Sequence, residues 1–117
     1  MATIYESECK ISSKVEKSEL PRTRIYKCKP VSSKEALIQF DMLEDVMYLG
    51  PGRKIVVSFM DDKPDSLDEY SFCGKAKLVS VENNSLIYSI GGFIFKIVNP
   101  DEIINTRPEE FYLCIKT

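Results

Sequence analysis

Leu86-Ile87-Tyr88-Ser89-Ile90-Gly91-Gly92-Phe93-Ile94-Phe95-Lys96-Ile97-Val98 reads as two apolar runs, rich in β-branched and aromatic residues, joined by a glycine pair. A two-residue turn of the primed type needs positive φ, which glycine adopts without steric cost, so the stretch predicts a hairpin turning at Gly91 and Gly92. Alternation puts Leu86, Tyr88 and Ile90 on one face of the first strand. It puts Phe93, Phe95 and Ile97 on one face of the second, with Ser89 and Lys96 opposite. One face of this hairpin must be buried, and the rest of the chain has to cover it.

Upstream, residues 70–82 read as another strand, with Gly74 allowing a close backbone approach or a bulge, and Glu82-Asn83-Asn84-Ser85 as the turn that enters the hairpin. Before it, Asp61 to Glu69 carries five carboxylates in nine residues. The loop lacks the alternating ligand spacing and central glycine of a calcium hand, and it reads as a solvated connection. Residues 53–60 form a strand with Ile55, Val57 and Phe59 on one face, after a tight turn at Leu49-Gly50-Pro51-Gly52. From 36 to 48 the even positions Ala36, Ile38, Phe40, Met42, Val46 and Tyr48 are apolar, interrupted only by Glu44. This predicts one long strand that bends round a small barrel, with a bulge near Glu44.

Residues 21–30, bounded by Pro21 and Pro30, hold Arg22, Arg24, Lys27 and Lys29 around Tyr26. The prolines suit an edge strand whose outer face is solvated by cations. The same four cations are the candidate contacts for phosphate or for a partner. Residues 4–15 alternate weakly and read as a strand at an edge. Downstream of Val98, Asn99 is a candidate N-cap and Pro100 a first helical residue, so at most a short helix forms there. Residues 110–116 close the chain as a strand with Phe111, Leu113 and Ile115 facing one way. The pattern is all-β, with six to eight strands and at most one short helix, and it predicts a small OB-fold-like barrel in a single domain, 1–117.

The 117 residues are 44% hydrophobic and 29% charged, with a net charge of −2, which describes an ordered globular chain without a global field for nucleic acid or membrane. The opening residues have no basic leader followed by an apolar stretch, and a cytoplasmic protein is expected. Histidine is absent, so no Cys-His pair, Ser-His-acid triad or histidine metal site exists within the chain. Cys9, Cys28, Cys73 and Cys114 stand far apart and read as small core residues. A disulfide among them would suit a hyperthermophilic source. No metal or cofactor is expected.

The runs Tyr70-Ser71-Phe72-Cys73-Gly74-Lys75-Ala76, Tyr88-Ser89-Ile90-Gly91-Gly92-Phe93-Ile94-Phe95-Lys96-Ile97 and Phe111-Tyr112-Leu113-Cys114-Ile115-Lys116 resemble the C-terminal half of the eighth-subunit family of multisubunit RNA polymerases. Asp61-Asp62-Lys63-Pro64 is similar to that family's Asp-Asp-Arg-Pro element, and Ile4-Tyr5-Glu6 to its opening Leu-Phe-Glu. The longer loop of eukaryotic members is missing, and Ile90 replaces an aromatic. The compact chain, with Gln39 its single glutamine, looks more like the archaeal form, the G subunit. The resemblance implies an OB-type barrel that docks on the largest polymerase subunit and supports assembly in transcription, beside other polymerase subunits, without catalysis of its own. Tyr88, Gly91, Gly92, Phe93 and Lys96 are then the candidate docking hairpin.

Two other functions compete. A stand-alone single-stranded nucleic-acid binder on the same fold needs exposed aromatics and a basic groove, whereas alternation turns most of the aromatics inward. A small enzyme built on a cysteine or a carboxylate pair lacks an activating base. No direct specific nucleic-acid binding and no membrane partner are expected.

Overall fold

The computed structural model describes residues 3–12 and 15–117, so residues 13 and 14 of the predicted first strand lie outside the described residues. Among the described residues the strands are β1 (Thr3–Ile11), β2 (Glu16–Lys17), β3 (Thr23–Pro30), β4 (Leu37–Leu43), β5 (Lys54–Met60), β6 (Phe72–Glu82), β7 (Ser85–Ile90), β8 (Phe93–Val98) and β9 (Glu110–Lys116). They form one antiparallel sheet in the order β1-β5-β9-β6-β7-β8-β4-β3-β2, and β1 also pairs with β3. That last pairing joins the ends of the sheet and closes a barrel of eight strands, with β2 as a flap on β3. Closure removes the open edges that a flat sheet of this length would present.

The hairpin forms as its sequence predicts. Ile90 pairs with Phe93, and Gly91 and Gly92 take φ of 57° and 96°, the signature of a type I′ turn. Leu86, Tyr88, Phe95 and Ile97 are fully buried. Gly92→Val puts a β-branched side chain at positive φ, and is expected to cost about 1 to 3 kcal/mol. A thermal melt superimposable on the parent's would show that the turn tolerates the strain.

Inside the barrel the aromatics pack ring against ring. Phe111 lies 4.9 Å from Phe59, 4.8 Å from Tyr88 and 5.9 Å from Phe95, centroid to centroid. Tyr26 and Phe40 form a second pair at 5.6 Å. Both buried tyrosines place their hydroxyls on backbone groups. Tyr88 Oη donates to the Pro108 carbonyl at 2.7 Å, and Tyr26 Oη accepts from the Leu49 N–H at 3.0 Å. Burial pushes the Tyr88 phenol up to about 12, which keeps it protonated as a donor.

Four expectations from the sequence need correction. Neither the 21–30 strand nor the 4–15 strand is an edge: β3 pairs with β4 on one side and with β1 and β2 on the other, and β1 lies between β5 and β3. Pro21 precedes β3 and Pro30 ends it, so neither interrupts the ladder. The predicted 36–48 strand stops at Leu43, and a turn takes the place of the bulge, with the Val46 and Met47 amides both donating to the Leu43 carbonyl at 3.1 Å. After the turn the phase of burial reverses, so Met47 and Leu49 are buried while Val46 and Tyr48 are exposed. At Pro100–Glu102 the helix is a single 3-10 turn. Asn99 takes the N-cap position and Pro100 follows it as expected, but Asn99 gives no side-chain cap: its backbone is left-handed, and its side-chain Nδ2 donates to the Glu35 carbonyl at 2.8 Å.

The cysteines divide into two pairs. Cys9 and Cys28 are buried free thiols, as read from the sequence, but Cys73 and Cys114 form a disulfide. They sit directly opposite each other on β6 and β9, with Cα atoms 4.2 Å apart. Their 41-residue separation gives no local sign of this neighbourhood. Next to Cys73, Gly74 makes the close approach its sequence allows. A Cβ there would stand 2.6 Å from Ile90 Cγ2 and 2.8 Å from the Phe72 ring. The bulge in β6 falls further on, where the register shifts between Leu78 and Ser80.

Candidate functional site

The candidate hairpin residues divide between core and surface. Tyr88 is wholly inside the barrel and offers no surface to a partner. Gly91 and Gly92 are exposed at the tip, Phe93 is half-buried, and Lys96 lies half-buried on the outer face opposite Gln39 and Ile87. Beside the tip, the β4–β8 ladder ends at Phe40 and Phe95, and the strands part. A small cleft of about 50 Å³ opens there, lined by Met42, Leu43, Val46, Phe72, Ile90 and Phe93 among others. Of its lining residues Val46 is exposed. Asp41 also lines it; burial pushes its carboxyl above the usual range, opposed by a hydrogen bond to the Ile94 backbone.

The four cations of β3 and the turn before it are not one patch. Arg22 meets Asp45 at 2.6 Å, and Arg24 meets Glu44 at 2.9 Å while its guanidinium lies 5.1 Å from the Tyr48 ring centre. Both arginines are thus engaged by the turn that follows β4. Lys27 and Lys29 belong to the other end of the strand, where β1 closes the barrel. There Lys29 faces Lys10 across the β1–β3 pairing, and Lys10 faces Lys54 across the β1–β5 pairing. Lys10 and Lys54 were not legible as site residues, because they lie far from the 21–30 segment in the chain and only strand register joins them to it.

Nucleophilic chemistry finds no support in the buried thiols. A hydrogen bond with Cys9, together with burial, pushes the Cys28 thiol well above its ordinary value, opposite to what a nucleophile needs. Among the described residues no group of three or more His, Cys, Asp or Glu side chains is placed to hold a metal ion. A polar hollow of about 230 Å³ is lined by Asn83, Asn84, Asn99, Asp101, Glu102 and Arg107 among others, beside the turns that flank β7 and β8.

A barrel with a sealed aromatic core and its charges on the outer wall has surfaces for partners. The family model for the G subunit of DNA-directed RNA polymerase matches residues 4–117. The chain belongs to the RNA polymerase G-subunit family. A search of curated proteins finds no match to the sequence. As a member of the G-subunit family the chain is a component of the transcription machinery, and its partners are other polymerase subunits. Among the described residues no helix is long and apolar enough to cross a membrane.

Proposed function

We propose that the chain is a non-catalytic small subunit of the archaeal-type DNA-directed RNA polymerase, a single cytoplasmic domain that docks on the largest subunit and supports assembly of the enzyme. The observation that carries this reading is the G-subunit family match, which runs from the first strand to the last residue. The chemistry of the barrel agrees with it. The chain has no histidine, its free thiols are buried, and six aromatics that could otherwise serve for stacking, Tyr26, Phe40, Phe59, Tyr88, Phe95 and Phe111, are committed to the core.

The test is reconstitution. The tagged chain, mixed with the separately produced largest subunit, is expected to form a complex that survives gel filtration, and polymerase assembled without it is expected to lose activity faster on heating. Failure to co-elute with the largest subunit, with capture by a different polymerase subunit, would move the docking site. Capture by none would overturn the assembly reading.

A further inference from the structure

We propose that the lysine-lined groove over the β1–β3 seam binds an acidic segment of another polypeptide, one that carries apolar residues between its carboxylates. Strand register puts Lys29, Lys10 and Lys54 side by side on three neighbouring strands, with Lys10 in the middle. All three are exposed, and none has an ion-pair partner among the described residues. Lys27, two residues from Lys29 on the same face, adds a fourth ammonium and is the one with an acidic neighbour, Glu16 at 3.7 Å. Glu8 and Glu6, two and four residues from Lys10, are the carboxylates on this face of β1, and Glu6 accepts a hydrogen bond from the Ser58 hydroxyl at 3.0 Å.

Like charges directly opposite in a sheet destabilise it, and here two such pairs adjoin on a chain whose net charge is −2. The fold gains nothing from that arrangement, whereas an anionic ligand would be held by all of the ammonium groups at once. Adjacent strands lie about 4.8 Å apart and alternate residues of an extended chain about 6.7 Å apart, so flexible lysine stems reach successive carboxylates of a strand laid across the seam.

The groove itself, about 620 Å³, selects among anions. Lys10, Lys27 and Lys29 line it together with Ser12, Gly52, Leu37, Pro51 and the edge of the buried Ile11, so its aliphatic surface is chiefly that of Leu37 and Pro51. Among the described residues no aromatic ring lines it, so they supply no platform on which bases could stack. Its aliphatic lining would be idle against a phosphate backbone but is matched by leucine or valine side chains set between carboxylates. The inference depends on the proposed subunit role only for the source of the segment, a neighbouring polymerase polypeptide.

The experiment uses the full chain and a fluorescent synthetic peptide of alternating glutamate and small apolar residues, with a labelled single-stranded oligonucleotide as competitor class. The peptide is expected to bind, to weaken steeply with salt, and to lose about tenfold or more in affinity in Lys10→Glu with Lys29→Glu. Arg22→Ala with Arg24→Ala, whose charges are already paired, should leave its affinity unchanged. Lys10→Gln should raise the melting temperature by relieving repulsion, a readout that stands even if the charge-reversed variant folds poorly. Peptide binding that ignores the lysine changes, or no binding, overturns the proposal. So does lysine-dependent binding of the oligonucleotide in preference to the peptide. In reconstituted polymerase, a wild-type chain that assembles alongside an equally competent charge-reversed one sinks the lysine groove and leaves the subunit role standing. A wild-type chain that never assembles sinks the subunit role instead.

Discussion

Phe111→Ala is expected to remove about 3 to 5 kcal/mol of stability, a large share of the 5 to 15 kcal/mol available to a domain of this size. Phe111 is 1% exposed and its ring touches those of Phe59, Tyr88 and Phe95, which come from three other strands. Truncation removes the transfer free energy of a ring and leaves a cavity whose walls are themselves aromatic. Those walls cannot easily collapse: Tyr88 is held by its hydroxyl on Pro108, and Phe59 is packed against Tyr5 and Phe95 as well. Urea unfolding should show a lower midpoint at unchanged slope. Val31→Ala, at a residue 66% exposed, should stay within about 0.5 kcal/mol of the parent. A Phe111→Ala variant as stable as the Val31 one would mean that the barrel is not organised on this cluster.

The second large effect concerns the Cys73–Cys114 disulfide. Reducing it, or replacing both cysteines by alanine, is expected to cost about 2 to 4 kcal/mol, because the bridge restrains a long segment of the unfolded chain. At about 4 °C per kcal/mol for a chain of this length, the melting temperature should fall by about 8 to 16 °C. The fold itself should persist, since β6 and β9 remain joined by a ladder from Phe72 and Ile115 to Lys77 and Glu110. Calorimetry with and without reductant, with mass spectrometry to score the thiols, reads the effect. Identical melts of verified oxidised and reduced protein would show that the bridge adds nothing to the ladder it crosses.

Much of the barrel was legible in the chain because strand and turn signals are local. Period-two alternation marked the inward residues of β5, β7, β8 and β9, and those residues are buried except Ile90 and Phe93, which flank the glycine turn and are half-buried. The glycine pair and the Asn83-Asn84 turn marked two hairpins, since positive φ is a property of a few residues at one place. The alternation through 36–48 misled for an equally local reason. The apolar residues continue past Glu44, but a turn there reverses which of them face inward, and a pattern of residue types carries no record of that reversal. The candidate site was legible only in part. Arg22 and Arg24 stood out as cations beside Lys27 and Lys29, yet their neutralising partners Asp45 and Glu44 arrive from the far end of β4.

By itself the sequence determined the strand content, the hairpin turns, the absence of histidine chemistry and, through its motifs, the resemblance to a polymerase subunit. Tertiary structure alone decided the closure of β1 on β3, which turned a presumed edge into barrel wall, the pairing of Cys73 with Cys114, and the alignment of Lys29, Lys10 and Lys54. The reason is common to all three: each depends on the register between strands distant in the chain, and register is set by the closing and filling of the whole barrel, to which no short stretch of residues has access.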